Sequence, residues 1–409
     1  MTEEATEIAI LGAGIAGLAL ALHLHRHRIS CKVYEAAPEL RELGVGITLL
    51  PHAMREIAAL RLDREIAAGA IETRESAFFN RFGQKIYAEP RGRLAGYDFA
   101  EMGIQRGRLH AILLAAVRER LGGAAVVTGH RCVGVEQDCE SVSIAFANGA
   151  SARAAAAIAC DGINSAVRQI YYPNEDLAFA GINTWRGVTR RAPILDGRTY
   201  MRVGSIKTGK MVIYPVADFD DGTQLINWVA EIESPQASPN DWNRAVEPSA
   251  LLPLFADWSF DWLDVPALVS QAQTIIEYPM VDRDPIDRWT FGRATLCGDA
   301  AHPMYPRGSN GSAQALIDVR VLSEQLAREH DPRIAFESYE AQRRPLTTEI
   351  VRTNRTAPPD AINLEVERRI GDRPFENLDE VITQDELRAI SEGYKRIAGF
   401  ALQDMATET

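Results

Sequence analysis

The chain has 409 residues, too many for one ordinary hydrophobic core. At roughly 150 residues per domain it should form two or three units with room for a cofactor-sized cavity. An apolar fraction of 46% with 24% charged residues excludes a disordered tail protein and a membrane transporter. With 44 basic against 56 acidic residues the formal charge is -12, so nucleic acid would meet long-range repulsion.

The apolar tract at residues 8–24 has the length of a secretory signal, but Glu3, Glu4 and Glu7 stand where such a signal needs Lys or Arg. Five cysteines, Cys31, Cys132, Cys139, Cys160 and Cys297, form no CxxC pair and leave an odd thiol, which favours a reducing cytoplasm over a disulfide framework. His23, His25 and His27 alternate on a helix and share no face, so no metal site is expected.

The tract reads as a strand at 8–11, a turn, and a helix from Leu18. The turn is Gly12-Ala13-Gly14-Ile15-Ala16-Gly17. Gly12 permits the tight turn, Gly14 lets a pyrophosphate reach the backbone, and Gly17 lets the helix pack against the strand. The N–H groups around Ile15 and Ala16, at the positive end of the helix, attract phosphate. A second strand at 32–34 ends at Glu35-Ala36, where the carboxylate can bind both ribose hydroxyls and disfavours a 2′-phosphate. The pattern predicts a dinucleotide such as FAD or NAD.

Residues 107–168 and 293–328 repeat this alternation of strand, turn and helix. One α/β sheet assembled from distant segments follows. The first of these carries Cys160-Asp161-Gly162 after an apolar strand, then Ser165 and Arg168; the second carries Gly298-Asp299, His302 and the loop Pro306-Arg307-Gly308-Ser309-Asn310-Gly311 before a helix at Ser312. Between them, residues 182–278 contain alternating β-branched and aromatic runs broken by Pro and Asp-Gly, as expected of antiparallel strands. Trp185, Trp228, Trp242, Trp258 and Trp262 fall there, which suits a ligand-covering domain. A helix is expected at about 379–399. No linker separates these parts, so the units should be interleaved.

Together the glycine turn, Asp161-Gly162 and Gly298-Asp299 resemble the motifs of the single-component FAD-dependent aromatic monooxygenases of the para-hydroxybenzoate hydroxylase type. Lesser similarities are Gly44-Val45-Gly46-Ile47, Arg106 with Leu109, and Tyr339-Glu340 followed by Arg343-Arg344-Pro345. The resemblance covers nearly the whole chain. At 184–189, 241–244, 255–258 and 278–285 the chain is most similar to members that hydroxylate a methylated phenazine carboxylate. Arg61 departs from the pattern, since relatives commonly have glycine there.

The resemblance implies a Rossmann-like FAD-binding domain (1–75, 98–178 and 279–360), an antiparallel substrate domain (76–97 and 179–278) and a helical tail (361–409). FAD would stay bound non-covalently, held by Gly12, Gly14, Ile15, Ala16, Gly17, Glu35, Ala36, Gly46, Ile47, Arg106, Asp161, Gly162, Arg168, Gly298, Asp299, Gly308, Gly311 and Ser312. NAD(P)H would bind transiently, because a single GxGxxG leaves it no Rossmann domain of its own. Oxygen would then form a flavin C4a-hydroperoxide that an electron-rich ring attacks. Candidate catalytic residues are Tyr214, His302, Pro306 and Arg307; Trp185, Arg186, Tyr214, Met304 and Tyr305 are expected to meet the substrate. Arg307 should face either solvent or an anion, and Arg343-Arg344 should serve the helix surface and inter-domain pairing. The expected substrate is a carboxylated, phenazine-like heteroaromatic, with a hydroxybenzoate or salicylate as the alternative. A halogenase or reductase on the same fold is a further alternative, although the halogenase WxWxIP segment is absent. No membrane partner is expected, and the protein should be a monomer or homodimer.

Overall fold

The computed structural model describes residues 6–40, 44–235, 244–356, 361–397 and 401. The similarity noted at 241–243 and the last residues of the helix expected to reach 399 lie outside them.

Two large sheets organise the chain. The first has eight strands, running Thr290–Phe291, Ala294–Leu296, Ser151–Ala159, Thr6–Leu11, Cys31–Tyr34, Val126–Val127. Its centre is parallel: Ile10 pairs with Ile158 and Val33, and Ala159 with Leu296. Both faces of this centre are covered, so Ile8, Ala9, Ile10 and Leu11 are all buried. The three segments predicted to share one sheet therefore do so. Val142–Phe146 and Cys132–Gln137 extend Ser151–Ala159 in antiparallel fashion. Helix Ile15–Arg26 packs against helices Arg106–Leu121 and Gly311–Arg328. It starts three residues before the expected Leu18, because Gly14 already has extended backbone and serves as its N-cap.

The second sheet has seven strands, Thr274–Asp282, Ala178–Arg191, Gln224–Glu233, Gly209–Asp218, Thr199–Ser205, Glu75–Phe79, Lys85–Pro90. The strands predicted around 211–215 and 225–232 are antiparallel neighbours, with Tyr214 opposite Asn227. Period-two alternation gives this sheet two faces. Trp185, Trp228, Met211 and Ile213 fill a core with Phe255 and Trp258 on one side, while Val188, Val212, Tyr214 and Val229 form a cluster on the other. A three-stranded sheet (Gly46–Leu49, Glu101–Gln105, Ala70–Thr73) packs against the strand Gly209–Asp218 of the second sheet.

Helices Pro332–Thr356, Ala361–Ile370 and Gln384–Ile397 complete the described chain. Arg343 corrects the expectation of a surface arginine: it is buried and its Nε donates to Asp318 at 2.7 Å, whereas Arg344 pairs with Glu340 one turn back. At Arg61 the backbone is left-handed, with φ +57°. Leu62 N–H donates to the Ile57 carbonyl and Arg61 N–H to that of Ala58, a Schellman ending for helix Pro51–Ala59 in which glycine is the usual residue. Among the described residues no helix is long and apolar enough to cross a membrane.

Candidate active site

The three fingerprint glycines occupy the positions their expected roles require. A Cβ on Gly12, where φ is +105°, would strike the Cys160 carbonyl oxygen at 2.5 Å, and one on Gly17 would lie 2.0 Å from the Gly12 carbonyl oxygen. A Cβ on Gly14 would meet nothing within 4 Å. Gly12 and Gly17 are thus required by the fold, whereas Gly14 borders open space. Glu35 holds the turn from its far side, its Oε2 accepting from Ala13 N–H at 2.7 Å and its Oε1 from Ala37 N–H at 2.8 Å. His110 meets the Ala13 carbonyl at 2.7 Å through Nε2. Ala36 is exposed beside this turn.

Gly14 opens into a cavity of about 300 Å³ that reaches the tyrosine face of the second sheet. Of the expected site residues, Gly14, Ile15, Ala16, Gly46, Ile47, Arg106, Gly162, Arg186, Tyr214, Asp299, Met304, Gly311, Ser312 and the catalytic candidate Pro306 line it. Thr48, Tyr278 and Asn310 line it as well and were not anticipated. Gly162 and Asp299 stand just past the ends of parallel strands, where open α/β sheets bind ligands. Burial raises the Asp299 carboxyl above its usual range, against the pull of His302 and Arg106.

The substrate-side wall is set by strand parity. Arg186 lies opposite Val229, which lies opposite Val212, so all three share one face with Tyr214. The Arg186 guanidinium sits 5.5 Å over the Tyr278 ring, and its buried Nε has no hydrogen-bond partner among the described residues. Deeper on this face Lys210 and Glu231 pair at 2.7 Å, each almost fully buried, and so cancel. Burial pushes the Tyr278 phenol up to about 12 and raises Tyr214 too, which keeps both as neutral donors. Tyr214 stacks on Tyr200 with centroids 5.0 Å apart.

Several expected site residues face elsewhere. Trp185, next to Arg186, has the opposite parity and packs in the tryptophan core. Arg168 spends its donors on Glu175 and on the carbonyls of Ala300, Ala301 and Asp284, so it braces the two motif turns and has none left for a ligand. Asp161 accepts from Ala166 N–H at 2.8 Å and starts the helix Ala166–Tyr171 from behind the cavity wall. His302 turns its Nε2 to buried Asp318, away from the cavity, so the placement gives no support to a role as base. Tyr305 reaches the Ala178 carbonyl at 3.3 Å. Gly298 supplies the turn that aims Asp299, and Gly308 lies under the Tyr394 hydroxyl. Arg307 meets neither solvent nor the cavity: it is 7% exposed, with Nη1 3.3 Å from the Asn354 carbonyl.

Residues 5–354 match the family described as FAD binding domain. The chain belongs to that family. It is 42% identical to the phenazine 1,6-dicarboxylic acid hydroxylase PhzS of Lysobacter antibioticus over 386 residues, covering 91% of this chain and 93% of that one. It is 33% identical to the 3-amino-4-hydroxybenzoate 2-monooxygenase PtmB3 of Streptomyces platensis, with 85% and 86% covered. Among solved structures, Klebsiella pneumoniae HpxO complexed with FAD and uric acid superposes with a TM-score of 0.76 at 23% identity, covering 98% of this chain and 97% of that one. The protein is therefore an FAD-dependent aromatic monooxygenase. Its residues fit the cofactor: Gly14 leaves the space a pyrophosphate needs, Glu35 has lone pairs to accept from ribose hydroxyls, and Gly311 and Ser312 present a helix N-terminus to the cavity.

Proposed function

We propose that this enzyme hydroxylates an aromatic or N-heteroaromatic carboxylate, with a phenazine carboxylate as the best-supported substrate class. The observation that carries the proposal is Arg186, a guanidinium in the cavity wall whose Nε lacks a partner among the described residues. A partly buried guanidinium with an unpartnered Nε and no ion pair among the described residues favours an anion, and its planar fork matches a carboxylate. Tyr214 and Tyr278 add flat apolar surface for a ring system and phenols that donate hydrogen bonds. The relative named for phenazine 1,6-dicarboxylic acid supports the fused-ring reading, and the one named for 3-amino-4-hydroxybenzoate supports a single-ring acid as the second reading.

FAD, when bound, supplies the activation of oxygen with electrons from NAD(P)H. The chain's own residues do the rest. Ile15 and Ala16, at the start of their helix, would hold the pyrophosphate at the glycine turn, Asp299 and the Ser312 end of its helix would hold the rest of the cofactor, and Arg186 would bind the substrate acid. The division into a cofactor-binding part and a covering part at 76–97 and 179–278 belongs to this proposal. So do NAD(P)H as reductant, a cytoplasmic setting, the absence of nucleic-acid and membrane partners, and a monomer or homodimer.

The test is aerobic turnover of the FAD-loaded protein with NADH or NADPH and a panel of phenazine-1-carboxylate, phenazine-1,6-dicarboxylate, 3-amino-4-hydroxybenzoate and 3-hydroxybenzoate. Mass spectrometry should find one oxygen atom added to a phenazine acid. Hydroxylation confined to the single-ring acids would establish the second reading, and conversion of uncharged phenazine as efficiently as its acids would overturn both.

A further inference from the structure

Strands Ser151–Ala159 and Ala294–Leu296 run parallel, with Ala157 opposite Ala294, Ile158 opposite Thr295 and Ala159 opposite Leu296. Cys297 N–H donates to the Ala159 carbonyl at 2.9 Å, which carries the ladder one residue further. Cys160 and Cys297 therefore stand opposite one another where the two strands end. Residues opposite each other in a parallel pair send their side chains to the same side of the sheet. Both cysteines line the cavity. We propose that Cys160 and Cys297 are an oxidisable dithiol that hydrogen peroxide closes to a disulfide, and that bound FAD covers it.

Neighbouring strands lie about 4.7–4.9 Å apart, and a disulfide spans Cα atoms roughly 4.4–6.8 Å apart, so the bond is within reach of the sheet as it stands. A buried cysteine more often serves packing than chemistry. Cys31 and Cys132 fit that description, each giving its thiol to a backbone carbonyl, that of Ala21 or of Gly134. Cys297 instead meets Cys160: their hydrogen bond first, and burial second, raise the Cys297 thiol well above its ordinary range. Cys160 is 8% exposed and Cys297 0%, so peroxide entering through the cavity reaches Cys160 first. The Cys160 sulfur attacks one peroxide oxygen, the O–O bond breaks, and one water leaves with a sulfenic acid formed on Cys160. The Cys297 sulfur then attacks that sulfur, the S–O bond breaks, and hydroxide departs with the Cys297 proton as a second water. Two electrons pass from the thiol pair to the peroxide. An oxygen-activating enzyme supplies the peroxide whenever oxygen is reduced without hydroxylation, and molecules that have lost FAD are the ones it oxidises. In a reducing compartment such a cross-link is transient. Because the two cysteines immediately precede Asp161-Gly162 and Gly298-Asp299, the link ties together the two motif turns of the cofactor site.

The covering rests on FAD occupying the cavity, which titration of the apoprotein with FAD by fluorescence quenching checks separately. The protein carries Cys139→Ser, because Cys139 is the exposed thiol and would link one chain to another. Apoprotein and FAD-loaded protein are treated with hydrogen peroxide, blocked with N-ethylmaleimide and digested without reductant, and the peptides are weighed by mass spectrometry. The apoprotein should yield the peptides of Cys160 and Cys297 joined, two hydrogens lighter than the pair apart and separated again by dithiothreitol. Saturating FAD should slow their joining roughly tenfold, since oxidation follows exposure. Cys160→Ala should leave Cys297 unoxidised over the same time, and if that variant fails to fold the Cys139→Ser chain decides alone. Oxidation of Cys160 to sulfinic acid without the joined pair overturns the dithiol, and so does a link from either residue to another cysteine. An unchanged rate with FAD shown to be bound overturns the covering. A failure of FAD to bind would instead refute the cofactor reading, and the dithiol would stand or fall on the apoprotein.

Discussion

Replacing Arg186 by methionine removes the guanidinium while keeping an unbranched side chain that can still cover Tyr278. The side chain is already desolvated beside that ring, with its Nε unpartnered, so little of the desolvation cost falls on substrate binding. The deeper cation, Lys210, is neutralised by Glu231 and cannot substitute. A charge-assisted hydrogen bond contributes about 1.5–3 kcal/mol, so an aromatic acid should bind roughly 10- to 150-fold more weakly to Arg186→Met. The assay is titration of the oxidised, FAD-loaded protein with phenazine-1-carboxylate, followed by the flavin absorbance change, with uncharged phenazine as control. The acid should lose affinity and the control should not. Equal losses for both ligands would show that Arg186 shapes the wall without reading charge, and no loss for either would remove it from the site.

Three further outcomes follow from the same geometry. Gly14→Val should abolish FAD retention with little change in apoprotein stability, since its Cβ meets nothing, whereas Gly17→Ala should destabilise the apoprotein itself, since its Cβ would lie 2.0 Å from a carbonyl oxygen; denaturant unfolding of both apoproteins separates the cases. His23 is buried, and burial first, then the nearby positive charges of Arg26, His27 and Arg320, lowers its pKa to about 3 from 6.5. A depressed histidine contributes stability above 6.5 that is lost as pH falls toward 3, at about 1.4 kcal/mol per pH unit, so parent stability relative to His23→Leu should drop by about 2 kcal/mol between pH 7 and pH 5 in urea titrations. Arg61→Gly should stabilise the protein by about 0.5–1 kcal/mol, relief of the left-handed strain being partly offset by the freer unfolded chain, and a lower denaturation midpoint would contradict this.

Those parts of the site that one short segment builds by itself were legible in the sequence. The turn from Gly12 to Gly17 carries its own strand, its own helix and its own reason for each glycine, and Gly298-Asp299 announces itself as a strand end. Tyr278 and Asn310 were not legible. Tyr278 reaches the cavity because Thr274–Asp282 pairs with Ala178–Arg191, a partner about 90 residues away whose register no local pattern fixes. Asn310 stood in the loop before the helix with no sign of a role, and the structure sets it in the cavity wall against His52, 258 residues earlier, whose Nε2 lies 2.9 Å from its Oδ1. Trp185 is a different case. Expecting both Trp185 and Arg186 at the substrate contradicts the alternation of a strand, which allows only one of the two to face the cavity and does not say which.

Arg168, Arg307 and His302 were placed in the site because each stands within a few residues of a motif. A charged residue beside a ligand-binding turn has a second use that sequence proximity cannot separate from the first. Such turns leave carbonyls and N–H groups that nothing in the helix or sheet satisfies, and an arginine with several donors can tie them together. Arg168 does this between the Asp161 turn and the Asp299 turn, binding the Ala300 and Ala301 carbonyls while Glu175 balances its charge. His302 does it through Asp318. Arg186, by contrast, sits in mid-strand in the cavity wall with no turn to satisfy and no ion pair among the described residues, and its place in that wall, not the unpartnered Nε it shares with Arg307, distinguishes a cation kept for a ligand from one kept for the fold.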